Sequence, residues 1–154
     1  MKTNHIVQLI LILGFLNCTS PDYNLGYRET IADLAFSSNL YAIQRELNSG
    51  ANINERDTFQ KKFTALMVAA REGDLELAKY LVQKGADVNA VTRDGHTALM
   101  YACYNRFPEI VKLLVENGAD VNQKSSQGHT AISEASLEHS KEIISYLKLK
   151  GANQ

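Results

Sequence analysis

The chain has 154 residues, of which 45% are hydrophobic and 21% charged, and its formal net charge is −1. That length suits one domain with a core of ordinary size. The near balance of charge argues against a nucleic-acid binder working through a basic stripe, and no block of like charge forms an interaction tail.

At the N-terminus, Met1–Leu16 is laid out as an export signal, with Lys2 ahead of an apolar run from Ile6 to Leu16. The run is shorter than the roughly 20 residues that span a bilayer, and it has the length of a signal h-region. Cys18 stands at its border. Phe15-Leu16-Asn17-Cys18 resembles a bacterial lipobox, the motif cleaved and lipidated at its cysteine. The usual pattern has Leu, a small residue, then Gly or Ala before the Cys, so Phe15, Leu16 and Asn17 depart from it. The resemblance implies a signal peptide over 1–17, lipid on Cys18 and a tether over 18–27, where Thr19–Gly26 is polar and carries a Pro and a Gly. Each buried methylene of an acyl chain adds about 0.8 kcal/mol, so two or three chains hold a protein stably to a membrane. The alternative is an ordinary cleaved signal with Cys18 as a bystander, for which no small-x-small cleavage site stands out. Only one other cysteine exists, Cys103, so a lipidated Cys18 leaves it without a disulfide partner.

Downstream the apolar residues fall at helical spacing. Ile31, Leu34, Ala35, Leu40, Ile43 and Leu47 make a helix pair without an opening threonine, closed by Gly50–Asn54. Ser37, Ser38 and Asn39 stand there in place of a glycine turn, as in an N-terminal capping unit. In Thr64–Asn89, Thr64 caps a first helix that buries Leu66, Ala69 and Ala70 and stops near Gly73. Asp74 caps a second, which buries Leu75, Ala78, Leu81 and Val82 and ends at Gly85. Asp94-Gly95 then sits where a tight hairpin tip belongs. Thr97–Asn122 repeats the plan with Leu99, Ala102, Pro108 in the first turn of its second helix, Ile110, Val111, Leu113, Leu114 and Gly118. Thr130–Asn153 repeats it again with Ile132, Ala135, Ser140, Ile143, Ile144, Leu147 and Gly151, and Lys141, Lys148 and Lys150 give it the surface of a C-terminal cap.

The threonines at 64, 97 and 130 and the glycines at 85, 118 and 151 all keep a step of 33 residues. Gly50 to Gly85 is 35, and the two extra residues are expected in Glu55–Phe63 as a longer tip. Units are expected near 28–61, 62–94, 95–127 and 128–154. A fixed period of this size marks stacked supersecondary units that shelter one another's apolar faces. Such a stack offers a long open surface rather than an enclosed reaction chamber.

No phosphate loop, serine elbow or metal-spaced Cys/His set appears, so no catalytic, cofactor or metal residue is assigned. His96 and His129 hold equivalent tip positions. Helices pack about 8–10 Å apart, so the two are read as surface histidines that approach without easily sharing a metal. His139 is read as exposed, and Cys103, at a small-residue position, as a buried structural thiol.

Asp94-Gly95-His96-Thr97-Ala98-Leu99, Glu109-Ile110-Val111-Lys112-Leu113-Leu114 and Gly118-Ala119-Asp120-Val121-Asn122 resemble the ankyrin repeat. Its pattern runs D-G-x-T-P-L-H-x-A-A, then G-x-x-E-V-V-K-L-L-L, then G-A-D-V-N. Ala65, Ala98 and Ala131 replace the pattern's proline, and Met67, Met100 and Ser133 its histidine. The family's histidine bridges repeats, and each lost bond is expected to cost about 1 kcal/mol. The resemblance implies an all-α ankyrin-repeat solenoid of about four helix-turn-helix units with hairpin tips over 28–154. It also implies a non-enzymatic module that grips proteins with its tips and the concave face of its first helices. Carried over by position, the tips are Lys61, Lys62 and Phe63, then Arg93, Asp94 and His96, then Ser126, Gln127 and His129. The concave positions are Val68, Arg71 and Glu72, then Tyr101, Tyr104 and Asn105, then Glu134, Leu137 and Glu138. Tyr101 and Tyr104 share a helix face as interface anchors; the alternative is that they only cover the inner helix surface. Combined with Cys18, this reads as a monomeric, lipid-anchored protein-interaction module of a bacterial envelope, in the periplasm or at the outer membrane. The alternative is a secreted effector acting on a host or rival cell.

Overall fold

A computed structural model describes residues 29–57, 62–135 and 140–153. The expectations for the signal segment 1–17, Cys18 and the tether, and those for Lys61, Leu137, Glu138 and His139, lie outside the described residues. Among the described residues there are eight helices and no strand. They are α1 (Ile31–Ala35), α2 (Leu40–Asn48), α3 (Ala65–Glu72), α4 (Leu75–Gln83), α5 (Ala98–Tyr104), α6 (Pro108–Glu116), α7 (Ala131–Glu134) and α8 (Lys141–Leu149). None of these is long and apolar enough to cross a membrane.

The helices begin where short-range chemistry starts them. Thr64 Oγ1 accepts from the N–H of Met67, Thr97 Oγ1 from Met100 and Thr130 Oγ1 from Ser133. Asp74 caps α4 through Leu77 N–H, and Pro108 opens α6, where a missing N–H costs nothing. One expectation needs correction. The first unit does have its opening threonine: Thr30 Oγ1 accepts from Asp33 N–H at 3.1 Å, and the Asp33 carboxylate accepts from Thr30 N–H at 2.9 Å. At the positions of the pattern's histidine, the side chains that stand there close caps within their own units. Met67 Sδ accepts from Thr64 N–H at 3.5 Å and Ser133 Oγ from Thr130 N–H at 2.8 Å, so two of the three positions still close the reciprocal cap.

Between the helices of each of the first three pairs one residue takes the left-handed conformation. It is Gly73 at φ +81 in the second pair, but Ser38 at φ 50 in the first and Arg106 at φ 64 in the third. Side chains pay about 1–2 kcal/mol there, so the glycine pattern is a preference rather than a requirement at this turn.

The first helices α1, α3, α5 and α7 pack side by side, and the second helices α2, α4, α6 and α8 back them. Ala69, Ala70, Ala102 and Cys103 are fully covered and let α3 and α5 come close. Ile43, Leu66, Leu77, Leu81, Leu99, Ile110, Leu114 and Leu147 fill the layer between the two rows. Each would contribute about 1.5–3 kcal/mol by leaving water. Phe107 packs over Gly73, where an added Cβ would meet its ring at 2.5 Å.

A second ladder runs along the chain reversals. Asn54 Oδ1 accepts from Asp87 N–H, Asn89 Oδ1 from Asp120 N–H and Asn122 Oδ1 from Asn153 N–H, each at 2.8 Å. Asn89 and Asn122 also donate to Gly118 O and Gly151 O at 3.0 Å. The recurring asparagine therefore ties each unit to its successor through backbone groups of the next chain reversal.

Candidate functional site

The tips are built by one device used three times. A short polar side chain accepts from an N–H downstream, and its own N–H donates to the same residue's carbonyl. Thr92 does this with His96 (3.0 and 2.9 Å) and Ser125 with His129 (3.1 and 2.8 Å). Asp57 does it with Phe63 (3.1 and 2.8 Å). The closing residues are six positions apart in the first loop and four in the other two. The two extra residues of the first unit thus lie inside its tip, between Asp57 and Phe63.

Phe63, His96 and His129 are therefore equivalent positions, each just ahead of a capping threonine. Their side chains form a row. Phe63 meets Phe36 edge-on with ring centroids 6.2 Å apart and lies 5.3 Å from Tyr101. His96 is 5.8 Å from Tyr101 and 6.5 Å from the His129 ring. The Arg71 guanidinium lies 5.1 Å from both the Phe36 and Phe63 ring centres and pairs with Glu72 at 2.6 Å. Arg71 is thus half-buried and held in place, with cation–π contact on one side and a carboxylate on the other.

Phe63 and Val68 are corrected. Phe63 is 4% exposed and Val68 0%, so neither can meet a partner. The aromatic row covers Phe63, and the rows of neighbouring helices close over Val68. Arg93, Asp94, Ser126, Gln127 and His129 are exposed at the tips, and Lys62 with them. On the inner face Tyr104 is 65% exposed while Tyr101 is half-buried against Phe63 and His96. Burial raises the Tyr101 hydroxyl's pKa above the ordinary value. Asn105 is half-buried, and its side-chain amide donates to Tyr101 O. His96, Met100, Tyr101, Tyr104 and Glu134 line one groove.

Glu134, on α7, faces both histidines. Its Oε1 is 2.7 Å from His129 Nδ1 and 3.8 Å from His96 Nε2, with the carboxylate side chain only 15% exposed. Donor atoms of the three side chains lie within 4.8 Å of one another. That is closer than helix spacing alone implies, and Gly95 is the reason. A Cβ there would stand 2.9 Å from Ser126 N and 3.1 Å from Ser125 Cα. Its bare backbone lets the third tip press against the second, with Ser126 N–H donating to Asp94 O at 3.0 Å. The signal was present in sequence as His96 and His129 one period apart, but the tip contact that unites them with Glu134 was not.

Cys103 is fully buried, as expected, and desolvation pushes its thiol up to about 12. At neutral pH it is a protonated thiol, chemically quiet.

Rigid helix pairs in a row, an open inner face and loops held in register define a repeat-built protein-binding module. The model of the family described as Ankyrin repeats (3 copies) matches residues 31–125 and 94–154. The chain belongs to the ankyrin repeat family, and its repeats mark it as a protein–protein interaction module.

Proposed function

We propose that this chain is an adaptor tethered to a bacterial cell envelope by lipid on Cys18, docking a protein partner on its inner face between the second and fourth units. The observation that carries the docking surface is Tyr104, 65% exposed on a short helix locked between α3 and α7, beside half-buried Tyr101 and the polar pair His96 and Glu134. An exposed tyrosine on a rigid element offers a large amphipathic contact at small entropic cost. Arg93, Asp94, Gln127 and His129 at the adjoining tips supply the polar rim. The tether rests on sequence alone, on Cys18 at the border of the apolar run.

Crosslinking capture from envelope fractions tests the surface. Tyr101→Ala/Tyr104→Ala loses a protein that wild type retains; if every captured protein stays, the inner face is not the docking surface. Labelling with a fatty-acid analogue tests the tether. Wild type takes up label and Cys18→Ala does not; an unlabelled wild type that leaves the cell would instead favour a secreted effector.

A further inference from the structure

We propose that His96, His129 and Glu134 form a binding site for a divalent transition ion, Zn²⁺ foremost. His129 and Glu134 flank the Thr130 cap of one unit, and the close approach of the second and third tips at Gly95 brings His96 of the preceding unit to them. Both imidazoles are turned on one carboxylate oxygen, at 2.7 and 3.8 Å, and all three donor atoms fall within 4.8 Å of one another. Zn²⁺ held at about 2.1 Å by tetrahedral ligands sets its donors about 3.4 Å apart. The observed separations straddle that value, and the His129 side chain, 49% exposed, has room to turn toward it while His96 and Glu134 are held by their surroundings.

Two imidazole nitrogens and one carboxylate oxygen are a donor set that suits Zn²⁺ and its neighbours and discriminates against Mg²⁺ and Ca²⁺, which take oxygen. The chain segments carrying the ligands are already rigid. Thr92 and Ser125 each clamp the backbone of a histidine through a pair of hydrogen bonds. Thr130 caps the helix that carries Glu134. Tyr101 packs beside the His96 ring and limits its rotation. Three protein ligands leave a fourth position open to the groove, as in zinc sites that keep a water.

The test is calorimetric titration of the full chain with Zn²⁺ after chelator treatment, with Co²⁺ absorption as a second reading. One Zn²⁺ binds per chain with a micromolar constant, and the melting temperature rises with Zn²⁺ concentration. His129→Ala and Glu134→Gln each weaken binding at least about tenfold, and His96→Ala/His129→Ala abolishes it. Bound Co²⁺ gives a spectrum without thiolate charge transfer. Because His129 and Glu134 carry little core packing, the metal-free melting temperature of their variants stays close to wild type. In nuclear magnetic resonance spectra of the wild type, Zn²⁺ moves the ring signals of His96 and His129. Failure to saturate below about 100 μM Zn²⁺, affinity unchanged in the double variant, or a thiolate band in the cobalt spectrum would each overturn the proposal.

Discussion

The first tip and the two that follow share one hydrogen-bonding device and end in opposite uses. Asp57 and Phe63, six positions apart, close a loop whose last side chain is driven inward, 4% exposed, under Phe36, Tyr101 and Arg71. Thr92 and His96, like Ser125 and His129, are four positions apart and close loops whose last side chains stay polar and gather on Glu134. One position in the repeat thus serves as core in one unit and as a chemical surface in the next two. In a stack, the residue at that position decides the use, because the same pair of hydrogen bonds holds its backbone in all three units.

Truncation at the equivalent positions breaks this contrast if it is wrong. Phe63→Ala removes a buried ring and destabilises by about 3 kcal/mol, whereas His96→Ala costs less than about 1 kcal/mol; chemical denaturation of both variants reads the difference. Comparable losses at the two sites would mean that His96 is a packing residue too.

Gly95→Ala comes next. Its Cβ would press on the backbone of Ser125 and Ser126, at a residue with φ +77. The expected loss is about 2 kcal/mol, with the second and third tips moved apart. Loss of the His96–His129 ring proximity in spectra of the variant would accompany it. A variant as stable as wild type would show that the tips do not need this approach.

The smallest effect sharpens the first tip. The Asp57 carboxylate is buried, with Oδ2 unpartnered, and burial raises its pKa despite the bond from Phe63 N–H, with Asp33 adding to the rise. A raised folded-state pKa means stability that is present at low pH and lost as pH rises through that pKa. At pH 7 the ionised carboxylate is therefore a burden. Asp57→Asn keeps an oxygen for Phe63 N–H, so it should match or exceed wild type by up to about 1 kcal/mol at pH 7. The gap narrows as pH falls into the carboxylate range. A variant clearly weaker than wild type at pH 7 would mean that the charge itself holds the tip.

What could be read from the sequence was what short-range chemistry decides. Thr64, Thr97 and Thr130 cap, Asp74 and Pro108 start second helices, and Gly85 and Gly118 end them, because each acts on backbone within a turn. The extra length near Glu55–Phe63 was also readable, since a period makes an insertion countable. Phe63 and Val68 were misread because exposure is set by neighbouring units, which periodicity does not describe. Thr30 was overlooked because α1 is shorter than α3, which shifts the cap out of phase. The asparagine ladder depends on contacts 29 to 33 residues apart in the chain, and the meeting of His96 with Glu134 on a contact between successive units. A 33-residue repeat hints at such contacts without saying which atoms meet.

Site-specific photocrosslinking in envelope preparations tests the central claim most directly: that partners dock on the inner face and the later tips. The crosslinker is placed in turn at Tyr104, Arg93 and His129, and at Lys79 and Glu116 on the outer helices. Adducts of one common mass from the first three positions, and none from the last two, are the expected result. Adducts from Lys79 or Glu116 alone would contradict it.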